Sequence, residues 1–237
     1  ETAHASEGWP ATIEWKPVMT ESGQPLSDPS HDFPGAPGQP YLDFVDGPSG
    51  SPFAWHSEDG RLYLRMTLRS SPLHAGHSYA LMPMAWFVFL NTVAPGESDH
   101  DHLDYAIVIE GGIRTSSGHG TMRVTYADRS TPSSINNVKL ETGNFSSANS
   151  VKMPTSSDPY RYIYWEDGLG YTMRLAPTKS VDPQASGNHW YLEFFVPIEW
   201  FAVDDVPPGV VAPKPITNGS KVRLAFATST QANDIKK

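Results

Sequence analysis

The sequence predicts an all-β fold, an antiparallel β-sandwich of jelly-roll or immunoglobulin-like type. Three observations carry that prediction. Short apolar runs alternate with period two: in RLYLRMTL, Leu62, Leu64, Met66 and Leu68 share one face while Tyr63, Arg65 and Thr67 share the other. Proline (22) and glycine (19) make up about a sixth of the 237 residues and are spread along the chain, with Ser, Thr, Asn and Asp between the runs. Such punctuation belongs to strands and turns. No stretch free of breakers carries apolar residues at the i, i+3, i+4, i+7 spacing of a helix.

Residues 1–40 read as an extended Pro/Gly-rich segment packed on the sandwich or on a neighbour, and residues 41–237 as the core of a single domain. Residues 1–52 hold no convincing long strand, and Trp9, Ile13, Trp15 and Val18 are the expected anchors. Strands follow at RLYLRMTL and at MAWFVFLNT, which is apolar on both faces as a central buried strand is. In LDYAIVIEG, Leu103, Tyr105, Ile107 and Ile109 alternate onto one side. GTMRVTYA comes next. YRYIYWED and GYTMRLAP are joined at Asp167-Gly168-Leu169-Gly170, which reads as a hairpin. After NHWYLEFFVP, the segment PIEWFAV makes a short helix or corner behind Pro197, and SKVRLAFATS is the last strand. About eight strands at fairly even spacing suit a sandwich, and no fixed-period repeat is present.

Composition narrows the function classes. Lys and Arg number 17 against 26 Asp and Glu, a formal charge of −9. Nucleic acid needs a basic stripe, and none is found. The absence of cysteine excludes disulfides, thiolate zinc sites, iron–sulfur clusters and covalent haem. No run approaches the roughly 18 consecutive apolar residues of a membrane helix. A start at Glu1 reads as a mature chain whose signal peptide is gone, hence a secreted protein, extracellular or on the cell surface.

The order of DGRLYLRMTL (59–68), AWFVFLNT (85–92), LDYAIVIEGG (103–112), WYLEFFVPIEWF (190–201) and VRLAFATSTQAND (222–234), with LDFVDG (42–47) before them, resembles the family-9 carbohydrate-binding-module-like and DOMON-like β-sandwiches of secreted bacterial proteins. The resemblance covers most of residues 40–237. It implies a sandwich fold, and a function among sugar binding, haem binding and ligand-free surface roles. The ending STQANDIKK resembles an interior stretch of longer relatives.

Several residue sets are candidate sites. Asp28, Asp32, Asp43 and Asp46 punctuate the DPSHD…DFVD loop, and calcium takes six to eight oxygens from such loops; ordinary turn chemistry explains the same aspartates. His100, His102 and Asp104 project to one side of an extended chain, as a zinc or copper row would. Asp99 and Asp101 face the other way and suit calcium. A charged loop tip is the plainer reading of all five. Tyr160, Tyr162 and Tyr164 alternate with Trp165 and its neighbours, so one row is a candidate for stacking on sugars or for an interface between copies. Met82 and Met84, near His74 and His77, are the only haem-ligand arrangement, and core filling explains the methionines. Glu110 and Glu193 make a glycosidase pair only if they face one another across a cleft. Asn144 and Asn218 sit in sequons and are candidate glycosylation sites.

No cysteine nucleophile, G-x-S-x-G elbow or H-E-x-x-H motif occurs, so the expectation is a non-enzyme. The leading expectation is a secreted structural or adhesive protein that forms a homo-oligomer or polymer as a matrix or filament subunit, with calcium as its one cofactor. The alternative is a carbohydrate-binding module with polysaccharide as partner. A b-type haem domain and a glycoside hydrolase rank behind both.

Overall fold

The structure is a computed structural model, and it describes residues 9–10, 12–28, 40–73, 81–92, 103–111, 121–127, 163–164, 173–179, 188–203 and 208–229. These residues form ten strands: β1 (Lys16–Pro17), β2 (Phe53–Glu58), β3 (Arg61–Leu68), β4 (Ala85–Asn91), β5 (Tyr105–Glu110), β6 (Thr121–Tyr126), β7 (Ile163–Tyr164), β8 (Met173–Lys179), β9 (Asn188–Pro197) and β10 (Arg223–Ser229). Two 3-10 turns, Pro40–Leu42 and Ile198–Phe201, are the only helical elements among the described residues. The second of these is the corner expected behind Pro197.

The strands make two five-stranded antiparallel sheets, ordered β1-β2-β3-β9-β8 and β10-β4-β5-β6-β7. The contacts of the chain fall into two compact units. Glu1–Tyr79 with Glu166–Pro197 carries the first sheet, and Ala80–Trp165 with Ile198–Lys237 carries the second.

In the first sheet the period-two pattern of β3 sets the register. Leu62, Leu64, Met66 and Leu68 stand opposite Val196, Phe194, Leu192 and Trp190 of β9, so the apolar rows of both strands share a face. Tyr63, Arg65 and Thr67 pair with Phe195, Glu193 and Tyr191 on the other face. β2 and β3 join through Asp59 (φ +49°) and Gly60 (φ +70°). Two central residues at positive φ make a type I′ turn, whose twist matches that of the flanking strands.

In the second sheet β4 is buried along its whole length, as its all-apolar sequence predicts. β5 differs from its expected one-sided alternation: Tyr105 to Ile109 are all fully buried. The small Ala106 and the branched Val108 lie on the same side as Phe87 and Phe89 in one buried cluster, so both faces of β5 are dry. Each large apolar side chain buried there contributes about 1.5–3 kcal/mol. The Tyr105 hydroxyl lies 2.7 Å from the Phe201 carbonyl and 3.0 Å from the Lys214 carbonyl, tying the 3-10 turn and the approach to β10 to this core.

The expected hairpin across Asp167–Gly170 is corrected. β7 pairs with β6 in the second sheet, whereas β8 pairs with β9 in the first. The glycine-rich link itself lies outside the described residues. Glycines in a sequence suit a change of sheet as well as a hairpin, and Leu175 of β8 has Leu192 of β9 as its cross-strand partner.

Candidate functional site

The face of the first sheet that carries Tyr63, Arg65 and Thr67 looks solvent-facing in the sequence, yet Tyr63 is 1% exposed. Trp9 and Trp15 cover it, carried by a strap of residues 9–10 and 12–20 that runs along the sheet. The strap is fixed to the sheet by the β1 pairing with Trp55 and Ala54 and by the Val18 N–H donating to the Phe53 carbonyl at 3.0 Å. Val18 is buried, and the Leu26 N–H donates back to the Val18 carbonyl at 2.8 Å. Lys16, opposite Trp55, holds its ammonium 5.3 Å from that ring.

Alternation along the strap sends Trp15 to the Arg65 side. The Arg65 guanidinium lies between the Trp15 ring at 4.2 Å and the Tyr191 ring at 4.1 Å. Its Nε donates to Glu193 Oε1 at 2.7 Å, and Nη2 contacts the same oxygen. The Thr178 hydroxyl donates to the Tyr191 oxygen at 3.1 Å. Arginine suits this position because a planar guanidinium stacks on rings and bonds carboxylate in its own plane. Glu193, weighed in the sequence as half of a glycosidase pair with Glu110, thus has its carboxylate engaged by Arg65, and the two glutamates belong to different sheets.

At the hairpin end of the same face the strap and the sheet part slightly. Trp9 packs on Tyr63 and Phe195 at ring-centroid distances of 5.5 and 5.6 Å, and Arg61 lies 5.0 Å over Phe195. Between them is an open-mouthed pocket of about 440 Å³ with a mostly polar lining. The strap contributes Trp9, Pro10 and Thr12, and the β2–β3 hairpin contributes Glu58, Asp59, Arg61 and Tyr63. Behind it His56 Nε2 lies 3.3 Å from Glu58 Oε2 and the His56 ring packs at 5.8 Å on Tyr63. The lining thus combines the Trp9 ring, the buried edge of Tyr63, two carboxylates, a guanidinium and the Thr12 hydroxyl.

The other sequence candidates are distributed differently. Asp43 is buried and forms an ion pair with Arg69, Oδ2 to Nε at 2.5 Å. Asp46 Oδ1 accepts the Asp28 N–H at 3.2 Å, a bond that ties two stretches 18 residues apart. Asp32 lies outside the described residues, as do Asp99, Asp101, His100 and His102. Asp104 is fully buried, and its Oδ2 accepts the Thr92 N–H at 2.6 Å and the Thr92 hydroxyl at 2.5 Å, bracing the ends of β4 and β5. Among the described residues no three His, Cys, Asp or Glu side chains gather as a metal site requires. Tyr164 is in β7 beside Thr121, while Tyr160, Tyr162 and Trp165 lie outside the described residues. Asn218 is exposed in the turn where the Ser220 N–H donates to the Thr217 carbonyl at 3.0 Å; Asn144, His74 and His77 lie outside the described residues.

Sequence reading identified Trp9 and Trp15 as anchors but missed the pocket. The signal was present in HSEDGR: an Asp-Gly pair between FAWHSE and RLYLRMTL marks a two-residue hairpin, which sets Glu58 and Asp59 beside Arg61 at its tip. Comparisons with protein-family models, with curated proteins and with solved structures gave no match.

Proposed function

We propose that the protein is a secreted, non-catalytic adhesive domain of β-sandwich type that holds polysaccharide in the pocket between its strap and its β2–β3 hairpin. The pocket carries this reading. The half-buried Trp9 offers an apolar ring face for the C–H face of a pyranose, while Glu58, Asp59, Arg61 and Thr12 offer acceptors and donors for its hydroxyls. A lining of this kind orients a neutral polyol and leaves it chemically unchanged. The test is co-sedimentation with insoluble polysaccharides and calorimetry with their soluble oligomers. Retention on at least one polysaccharide is expected, with about a tenfold loss of affinity in Trp9→Ala. A wild-type protein retained on none overturns the reading.

A second reading, a self-assembling matrix or filament subunit, draws support from the strap. An extended segment adds to the edge of β2 through a two-residue strand, and strand addition of this kind joins separate chains as readily as it closes one. Light scattering at rising protein concentration tests it: growth beyond the monomer is expected, and a strict monomer at millimolar concentration refutes it.

A further inference from the structure

We propose that Arg123 of β6 is the seat of a second ligand site, one that takes a small monocarboxylate with an apolar body. The site belongs to the second sheet, lines no part of the polysaccharide pocket and stands without that reading. Arg123 is 9% exposed, and its Nε is buried with no hydrogen-bond acceptor. Among the described residues no carboxylate makes an ion pair with it. Two other arginines are treated differently: the Arg65 Nε donates to Glu193, and the Arg69 Nε meets Asp43. Both of those are less buried than Arg123. Strand register fixes the surroundings of Arg123. It stands opposite Val108 of β5, which stands opposite Phe87 of β4. Ala106 and Thr125 come next on the same face, and the Thr125 hydroxyl already donates to the Ala106 carbonyl at 3.4 Å. Phe87, Ala106 and Val108 are fully buried.

A guanidinium keeps its charge in a protein, so a buried one cannot escape the cost by giving up a proton. A desolvated charge with neither water nor partner is expensive. A carboxylate lying in the guanidinium plane takes Nε–H and a neighbouring Nη–H together, and Glu193 already engages Nε and Nη2 of Arg65. The ligand carries one negative charge, because a single guanidinium awaits it. Glu110, two positions along β5 from Val108 on the same face, repels a second charge. Its body is apolar, because Val108, Ala106 and Phe87 give hydroxyls no partner, and small, because only 9% of Arg123 is open to solvent. The net charge of −9 opposes anions at long range. That field is screened beyond about 8 Å at physiological ionic strength, whereas the guanidinium acts at contact.

The test is thermal unfolding and calorimetry of the full chain with sodium butyrate, against sodium chloride and inorganic phosphate at equal ionic strength. Butyrate is expected to raise the melting midpoint saturably, by about 3–6 °C at ten times its dissociation constant, because a ligand held only by the folded state stabilises it. Arg123→Met is expected to raise the midpoint of the ligand-free chain, by removing an uncompensated buried charge, and to abolish the butyrate response. Arg123→Lys keeps the charge without the planar fork and is expected to weaken butyrate binding about tenfold. Glu110→Gln is expected to leave the response in place. No butyrate shift in the wild type overturns the inference, as does an equal shift in Arg123→Met. A lowered ligand-free midpoint in Arg123→Met shows that the chain supplies the counter-charge itself and also overturns it. A phosphate shift as large as that of butyrate shows a general anion site and overturns the carboxylate assignment. A midpoint that rises with protein concentration but not with butyrate shows that a second copy supplies the carboxylate, and overturns the small-ligand site.

Discussion

Glu193 is 2% exposed, and Arg65 meets it between two aromatic rings. Removing one member of such a pair leaves the other charge desolvated, whereas removing both leaves only a packing defect. Glu193→Ala is therefore expected to lower stability by about 2–4 kcal/mol in urea unfolding, and Arg65→Met/Glu193→Leu to cost less than the two single changes summed. Additive costs would show that the pair is not coupled. Gly111 is a second residue with a sharp requirement: a Cβ there would meet the Met82 carbonyl oxygen at 2.1 Å and Leu81 Cβ at 2.6 Å. Gly111→Ala is expected to cost about 2–3 kcal/mol through forced separation of these segments, read from the same unfolding curves. Burial raises the Tyr41 phenol above its ordinary value of 10.0. The folded state then keeps the proton after the unfolded state has released it. The contribution of Tyr41 is full below pH 10 and declines as pH rises through the folded value. Tyr41→Phe is expected to flatten that alkaline limb in a series of thermal melts.

The β2–β3 hairpin is the element on which the pocket depends. Gly60 sits at φ +70°, and an L side chain there strains the turn, so Gly60→Ala is expected to cost about 1–2 kcal/mol and to weaken polysaccharide retention with it. A melt lowered with retention intact at low temperature would separate turn from site. The legibility of the elements followed their physics. β3 and β9 were readable to the residue because period-two alternation and β-formers coincide over eight and ten positions. β2 escaped because Phe53 and Ala54 are buried while Ser57 and Glu58 are exposed, so the strand leaves the core along its length and shows no sustained alternation. The polar Arg65 and Glu193 on the face shared with Tyr63 and Tyr191 give no local sign that this face is covered. Stacking of the Trp15 ring on Arg65 from over 40 positions away is a tertiary fact that no local pattern encodes. Pairing partners were equally hidden: the glycines after β7 announce a turn but not which sheet the chain enters next.

At the scale of the whole molecule, each compact unit is made of two separate stretches of chain. No single cut isolates either unit. A chain ending at residue 165 keeps β1, β2 and β3 but lacks β9, the strand on which both β3 and β8 pair. Such a truncation is expected to lose polysaccharide retention; retention intact would show that β1–β3 stand without β9. The net charge of −9 acts here too. Copies repel one another at low ionic strength, so self-association is expected to rise with salt. Sedimentation at two salt concentrations checks this.

The pairing of β3 with β9 also governs how the protein is born. Arg65 and Glu193 stand 128 residues apart in the chain. At synthesis rates of roughly 5–20 residues per second, the free side of the β2–β3 hairpin waits about 6–25 s for its partner strand. During that interval an unsatisfied edge is a template for the β9 of any other nascent copy. The yield of correctly folded protein thus becomes a contest between delivery of its own strand and capture of a neighbour's, and slow, dilute expression favours the former.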